Sequence, residues 1–261
     1  MRKESINLIR QIGVIVAVIA TIIVNVLANA LPINGVTTGE LAAQFDVLFV
    51  PAAYAFSIWG LIYLGLAVYA IYQAQPKLRN SPRMRSLDAP FLLSSVANMA
   101  WLLLWHYQFY VSTFVVMLVL LGSLIAIYRR LDPERETASD GRRWAVHHVF
   151  SLYLGWVTIA SFANLGTVLD YVGWTGWGIG ELTWFAIGVV AALGIAAMMA
   201  WRRADVVYLL VLVWGFIGIG VEQAGNPRVS ILAWSATAVL AVLAALSAIR
   251  RSPQRKMALS G

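Results

Sequence analysis

Eight stretches of this chain run apolar for 17 residues or more, near 8–30, 51–74, 89–107, 110–128, 144–168, 181–201, 205–221 and 229–249. A helix needs about 20 such residues to cross the hydrocarbon core of a bilayer. No other feature narrows the fold as far. In hydrocarbon each backbone N–H and C=O must find a partner within the protein, so runs of this kind are helices. The composition agrees. Of 261 residues, 61% are hydrophobic and 12% are charged, about half the charge of a soluble domain, and the mean hydropathy is +0.77. The expected fold class is all-α, a polytopic membrane helical bundle of eight spans.

The basic residues test that count. With the N-terminus in the cytoplasm, the inner segments carry Arg2, Lys3 and Arg10, then Lys77, Arg79, Arg83 and Arg85. They carry next Arg129, Arg130, Arg135, Arg142 and Arg143, then Arg202 and Arg203, and last Arg250, Arg251, Arg255 and Lys256. Of the 19 Lys and Arg, only Arg228 falls outside. The positive-inside rule therefore predicts an integral plasma-membrane (inner-membrane) protein with both termini cytoplasmic. The +7 net charge is spread over short loops as orientation signals, so it predicts no nucleic-acid partner. With no cysteine, disulfides and thiolate metal sites are excluded. Arg2, Lys3, the apolar run and Ala28-Asn29-Ala30 imitate a signal peptide. The run is long for one and reads as a span; cleavage would leave seven.

Punctuation between the spans is sparse. Thr37 and Glu40 have capping-box spacing, which predicts a short outer helix over Leu41–Phe45. The inner loop Arg129–Arg143 reads as solvated, and the outer stretch Gly173–Gly180 as flexible. Asp88 ahead of Ala89-Pro90, and Asp205 ahead of Val206, read as N-caps. No charged residue is expected inside a span, which argues against a proton pump or voltage sensor. Trp144, Trp174, Trp177, Trp184, Trp201 and Trp234 sit near span ends, as an interfacial belt does. Trp59, Trp101, Trp105, Trp156 and Trp214 lie deeper.

Those deeper residues share faces with polar ones. At 100° per residue, Phe56, Trp59 and Tyr63 of the second span fall within an arc of about 80°. So do Asn98, Trp101 and Trp105 of the third, and Tyr153, Trp156 and Asn164 of the fifth. With alternating span direction, Tyr63 and Asn98 fall near mid-membrane and the three faces overlap in its outer half, below the first outer loop. A buried Asn without a partner costs several kcal/mol in hydrocarbon. Taken singly, each polar group reads as a bond between helices. Three such faces at one depth read as the wall of a cavity, since ligand pockets are largely aromatic with a few fixed polar groups.

The sequence resembles the TspO/MBR family, the tryptophan-rich sensory proteins related to the mitochondrial translocator protein. Trp59-Gly60-Leu61-Ile62-Tyr63 matches the family's W-x-x-x-Y, and Asn98-Met99-Ala100-Trp101 its N-x-x-W. Tyr153-Leu154-Gly155-Trp156 with distal Asn164 matches its Y-L-A-W and later Asn. The resemblance covers about residues 8–168. It implies a five-helix core over 1–170, often dimeric; the three additional helices and basic tail over 171–261 lie outside the resemblance and rest on hydropathy and charge. It further implies a pocket beneath the loop joining helices one and two, which takes tetrapyrroles, sterol-like molecules or other hydrophobic ligands. The residues expected to bind are Tyr54, Phe56, Trp59, Tyr63, Asn98, Trp101, Trp105, Tyr153, Trp156 and Asn164. Tyr54 stands near the place of a family Trp. The family prolines beside the second-, third- and fifth-helix motifs are absent, with Ser57-Ile58, Leu102-Leu103 and Leu152 in their places. The porphyrin breakdown proposed for some relatives is not carried over.

No cofactor is required on this reading; a porphyrin or haem enters as ligand, and membrane lipid is the other partner. His106, near the expected cavity, is the candidate for a haem-iron ligand. Adjacent His147 and His148 do not have metal-pair spacing. No Ser-His-Asp or paired-carboxylate pattern stands out, so no catalytic residue is assigned. Glu181 and Glu222 read as solvated helix ends that could line an entrance. In the last two spans, Gly215, Gly218 and Gly220 predict close packing, and Ala233, Thr237, Ala241 and Ala245 a small-residue packing stripe. The functional expectation is a sensor or carrier for a hydrophobic ligand; a facilitative transporter of amphipathic molecules and, last, an intramembrane enzyme are the alternatives.

Overall fold

The computed structural model describes residues 2–131 and 140–259 apart from Pro32, Thr37 and Ala43. Among them, eight helices are long and apolar enough to cross a membrane, each where the sequence places one. The α-helices are α1 Arg2–Ala30, α2 Thr38–Ala42, α3 Ile58–Gln73, α4 Pro82–His106 and α5 Tyr110–Leu131. They continue with the single turn α6 Asp140–Arg142, α7 His148–Tyr171, α8 Glu181–Arg203, α9 Val206–Glu222 and α10 Pro227–Leu259. A π turn, Arg143–His147, leads into α7. No strand occurs among the described residues. The protein is an integral membrane helical bundle.

Five long helices close a ring. α1 packs on α3 and α4, α4 on α5, α5 on α7, and α7 back on α3. The remaining three, α8, α9 and α10, pack on one another, and α9 docks the trio onto α7. The α1–α3 connection, with α2 and the 3-10 turn Ala53–Ser57, covers one end of the ring. We call this the connector end; the short loops rich in Arg and Lys define the opposite, basic end.

Local chemistry explains most boundaries. Ser81 accepts a hydrogen bond from the Met84 N–H at 3.4 Å, and Pro82 follows it at the first helical position, a favourable start. The α4 cap thus lies about two turns before the expected cap at Asp88. The Asp88 assignment is corrected: it lies inside α4, buried, and pairs with Arg10 of α1. Arg10 and Asp88 lie in the first two turns or so of their packed helix ends, and their mutual pairing makes burial tolerable. Pro90 also lies inside α4. It cannot donate to the Ser86 carbonyl four residues back. Arg130 of α5 supplies the missing donor, its Nη1 lying 2.6 Å from Ser86 O. Asp205 does cap its helix, accepting from the Tyr208 N–H at 3.2 Å. Its other oxygen accepts from the hydroxyls of Tyr128 and Ser151, at 2.7 and 2.6 Å.

Two further expectations change. The outer helix is α2 Thr38–Ala42, three residues earlier than expected; Thr37, its expected cap, lies outside the described residues, as do 132–139 of the inner loop. In α10 the stripe at four-residue spacing does not form the contact face. Ala241 and Ala245 are exposed, and the inward face is Val229, Ala233, Ala236, Leu240, Ala244 and Ser247. A straight helix repeats every 3.6 residues, so a strict four-residue stripe rotates off its partner. The α9 glycines pack as expected. A Cβ on Gly215 would meet Ile159 at 2.9 Å, on Gly218 the Cβ of Pro51 at 2.8 Å, and on Gly220 Trp234 at 2.9 Å.

Candidate functional site

The amide-bearing faces meet at mid-membrane. Asn98 of α4 is buried between α1 and α7. It donates to the Tyr153 hydroxyl at 3.0 Å and accepts from the Asn25 amide at 2.7 Å. Nearer the connector end, the Trp101 indole N–H donates to Asn164 Oδ1 at 3.3 Å, and Asn164 Nδ2 donates to Thr113 Oγ1 at 2.9 Å. One chain of bonds ties α1, α4 and α7; the other ties α4, α7 and α5. These amides are satisfied within the bundle, as buried polar groups in hydrocarbon must be.

The aromatic rings occupy the space between. Trp59 stacks on Tyr63 at 5.7 Å and meets Tyr153 and Trp156 edge-on at 5.9 and 6.5 Å. Phe56 meets Trp156 edge-on at 5.7 Å, and Trp101 stacks on Trp105 at 5.4 Å. Beneath the connector, four of these rings, Phe56, Trp59, Tyr63 and Trp101, wall a cavity of about 860 Å³, within the range of small-molecule sites. Phe56, Trp59, Tyr63, Trp101 and Leu102 form its apolar side; Asn25, Gln44, Asp46, Glu222 and Gln223 are its main polar groups. A smaller pocket adjoins it, sharing Trp59 and Trp101 and reaching Trp105, Trp156 and Asn164.

Of the ten expected binding residues, seven border these two spaces: Phe56, Trp59, Tyr63, Trp101, Trp105, Trp156 and Asn164. Asn98 and Tyr153 do not; they form the polar layer just described. Tyr54 is 43% exposed and packs its ring edge-on against Trp214. It sits in the 3-10 turn before α3, so the angular register of that helix does not extend to it. His106 is fully buried outside the cavity lining. Its Nδ1 lies 3.2 Å from the Ile33 carbonyl and its Nε2 lies 3.0 Å from Thr38 Oγ1. Both ring nitrogens thus fasten the connector, and neither faces a position for haem iron. Among the described residues no group of three His, Asp or Glu is placed to hold a metal ion.

The sequence reading missed most of what the connector and the last three helices contribute. Val50 and Pro51 line both spaces, and Gln223 joins Glu222, read as able to line an entrance, at the larger cavity from the end of α9. α9 also holds the connector in place: the Ala52 N–H donates to Gly218 O at 3.0 Å, and the Trp214 indole donates to Ala55 O at 2.9 Å. The deep position of Trp214 and the α9 glycines were the available signals. Asn25, an amide in an apolar stretch of α1, was the signal for the second partner of Asn98.

A family model described as TSPO-like protein matches residues 11–246. The match extends well past the fifth span and takes in α8, α9 and most of α10. No curated protein and no solved structure matches the chain. With nine-tenths of its length under that one model, the chain belongs to the TSPO-like protein family.

Proposed function

We propose that the protein binds a small hydrophobic ligand, of the tetrapyrrole, sterol-like or isoprenoid kind, in the cavity beneath the connector, and acts as its sensor or carrier in the plasma membrane. The observation that supports this most directly is the cavity's wall: Phe56, Trp59, Tyr63 and Trp101 around about 860 Å³, beside a smaller pocket bordered by Trp156 of α7, with Asn25, Asn98 and Asn164 already hydrogen-bonded within the bundle. Flat rings can stack there without leaving a buried amide unsatisfied. Below the cavity, the Asn25–Asn98–Tyr153 layer closes the way to the basic end, so the ligand enters from the connector side or from lipid. That arrangement favours capture over free passage and ranks a facilitative transporter second.

The test is titration of the protein in nanodiscs with protoporphyrin IX dimethyl ester, following quenching of Trp emission. Saturable quenching is expected. Replacing Trp59 and Trp101 together by Ala should weaken binding by about tenfold or more, at roughly 1 kcal/mol for each lost aromatic contact. Unchanged affinity would remove this cavity as the site.

A further inference from the structure

We infer that the preferred ligand is an amphipathic cation, an apolar body carrying a protonated amine or quaternary ammonium group. This rests on the cavity being a ligand site and narrows its chemistry. Asp46 of the connector and Glu222 of α9 both line the cavity and are exposed at its mouth, and no Lys, Arg or His is among the lining residues. Neither carboxylate is ion-paired among the described residues; the pair found there, Arg10–Asp88, is at the other end of the bundle.

The wider charge distribution acts in the same direction. Among the described residues the connector end holds Glu40, Asp46, Asp170, Glu181 and Glu222 against the single base Arg228, while the other Lys and Arg lie in helices and loops of the basic end. A cleft lined by one sign of charge between low-dielectric walls concentrates ions of the opposite sign. Just inside the mouth, the stacked pair Trp59–Tyr63 and the Trp101 ring present π-faces, which attract cations. A carboxylate-bearing ring system would meet repulsion from Asp46 and Glu222 at the same place. The cavity therefore favours an ammonium headgroup over a neutral one, and a neutral one over a carboxylate.

A second observation points independently to an occupant. Trp156 is 1% exposed and borders the smaller pocket, and its indole N–H is buried with no hydrogen-bond partner among the described residues. Native structures rarely leave such a donor unpaired. An acceptor on the inner end of a ligand would satisfy it, which matches an amphiphile whose charged end remains at the mouth.

The experiment uses three probes with one apolar body: pyrenebutyl-trimethylammonium, pyrenebutanol and pyrenebutyrate. Each is titrated into the full chain in uncharged maltoside micelles, reading energy transfer from Trp to pyrene and subtracting empty micelles. The ammonium probe should bind about tenfold more tightly than the alcohol, and the carboxylate most weakly, because two exposed carboxylates contribute modestly each. Asp46→Asn with Glu222→Gln should erase the gap between ammonium and alcohol, and molar salt should narrow it in the unaltered protein. The salt measurement stands even where the double variant folds poorly. Equal binding of all three probes, or a gap that survives both treatments, would overturn the inference while leaving the cavity as a site. Absence of binding by any probe, or alcohol binding indifferent to Trp59→Ala with Trp101→Ala, would overturn the cavity reading itself. Adding phosphatidylcholine separates two sources of the same chemistry: displacement of the ammonium probe identifies a lipid headgroup as the occupant, and its retention a free amine.

Discussion

Asn98 is 2% exposed and satisfies two other helices at once, which makes it the most consequential polar residue of the bundle. Replacing it by Ala removes the Tyr153 hydroxyl's amide donor and one acceptor of the Asn25 amide, which keeps its bond to the Thr21 carbonyl at 2.8 Å. An unsatisfied buried polar group costs about 1–3 kcal/mol in proteins generally, and less within membranes, where the freed group finds other partners. We expect Asn98→Ala to lower stability by about 2 kcal/mol, read as a shifted midpoint in an SDS-unfolding titration. Because Asn98 does not border the cavity, ligand affinity should change far less than on loss of Trp59 and Trp101. A variant as stable as the parent would show that the amide layer is not what fastens α1 to α4 and α7. At this scale the sequence states the need and withholds the partner. An Asn in hydrocarbon must be paired, but the choice between ligand and neighbouring helix depends on inter-helix register, which no single span encodes. Asn164 shows that the two are not exclusive: it bonds Trp101 and Thr113 and also borders the smaller pocket.

Among the elements, α9 most changes the expected picture. The fifth-span motif has Gly155 where the family pattern has Ala. The structure supplies the reason: a Cβ there would lie 2.9 Å from Val211 Cβ and 3.2 Å from the Tyr208 carbonyl of α9. The glycine lets α9 lie against α7, and through α9 the connector is held over the cavity. We expect Gly155→Ala to destabilise the protein by about 1–3 kcal/mol, the usual cost of overpacking, and to weaken ligand binding with it. Gly60→Ala is the control. It has nothing within 4 Å of the added Cβ and should be neutral or slightly stabilising in a helix. Equal effects of the two substitutions would mean that helix propensity, and not the α7–α9 contact, governs position 155. The spans themselves were readable because length and hydropathy decide them. Their ends were readable only in part: Ser81-Pro82 and Asp88-Ala89-Pro90 both carry a start signal, and only the Arg10 partner of Asp88 explains why the first is used. The docking of α9 was hidden because a glycine announces a close approach without naming what approaches.

For the whole molecule, the separation of charge between the two ends carries the functional reading. Among the described residues the basic end bears all Lys and Arg but Arg228, while the acidic connector end bears the cavity mouth. If the basic end is cytoplasmic, as the positive-inside rule requires, the cavity samples the outer side of the membrane and the outer leaflet. The protein would then capture a ligand arriving from outside. The chain contains no cysteine, so single cysteines report topology without background. Lys77 and Thr175 are both exposed, one in the α3–α4 loop and the other in the α7–α8 loop. A membrane-impermeant maleimide added to intact cells should label Thr175→Cys at once and Lys77→Cys only after permeabilisation. Retaining Arg79, Arg83 and Arg85 beside position 77 preserves the orientation signal in the variant. The reverse labelling pattern would place the cavity mouth in the cytoplasm, and its ligand would then be a product of the cell's own metabolism.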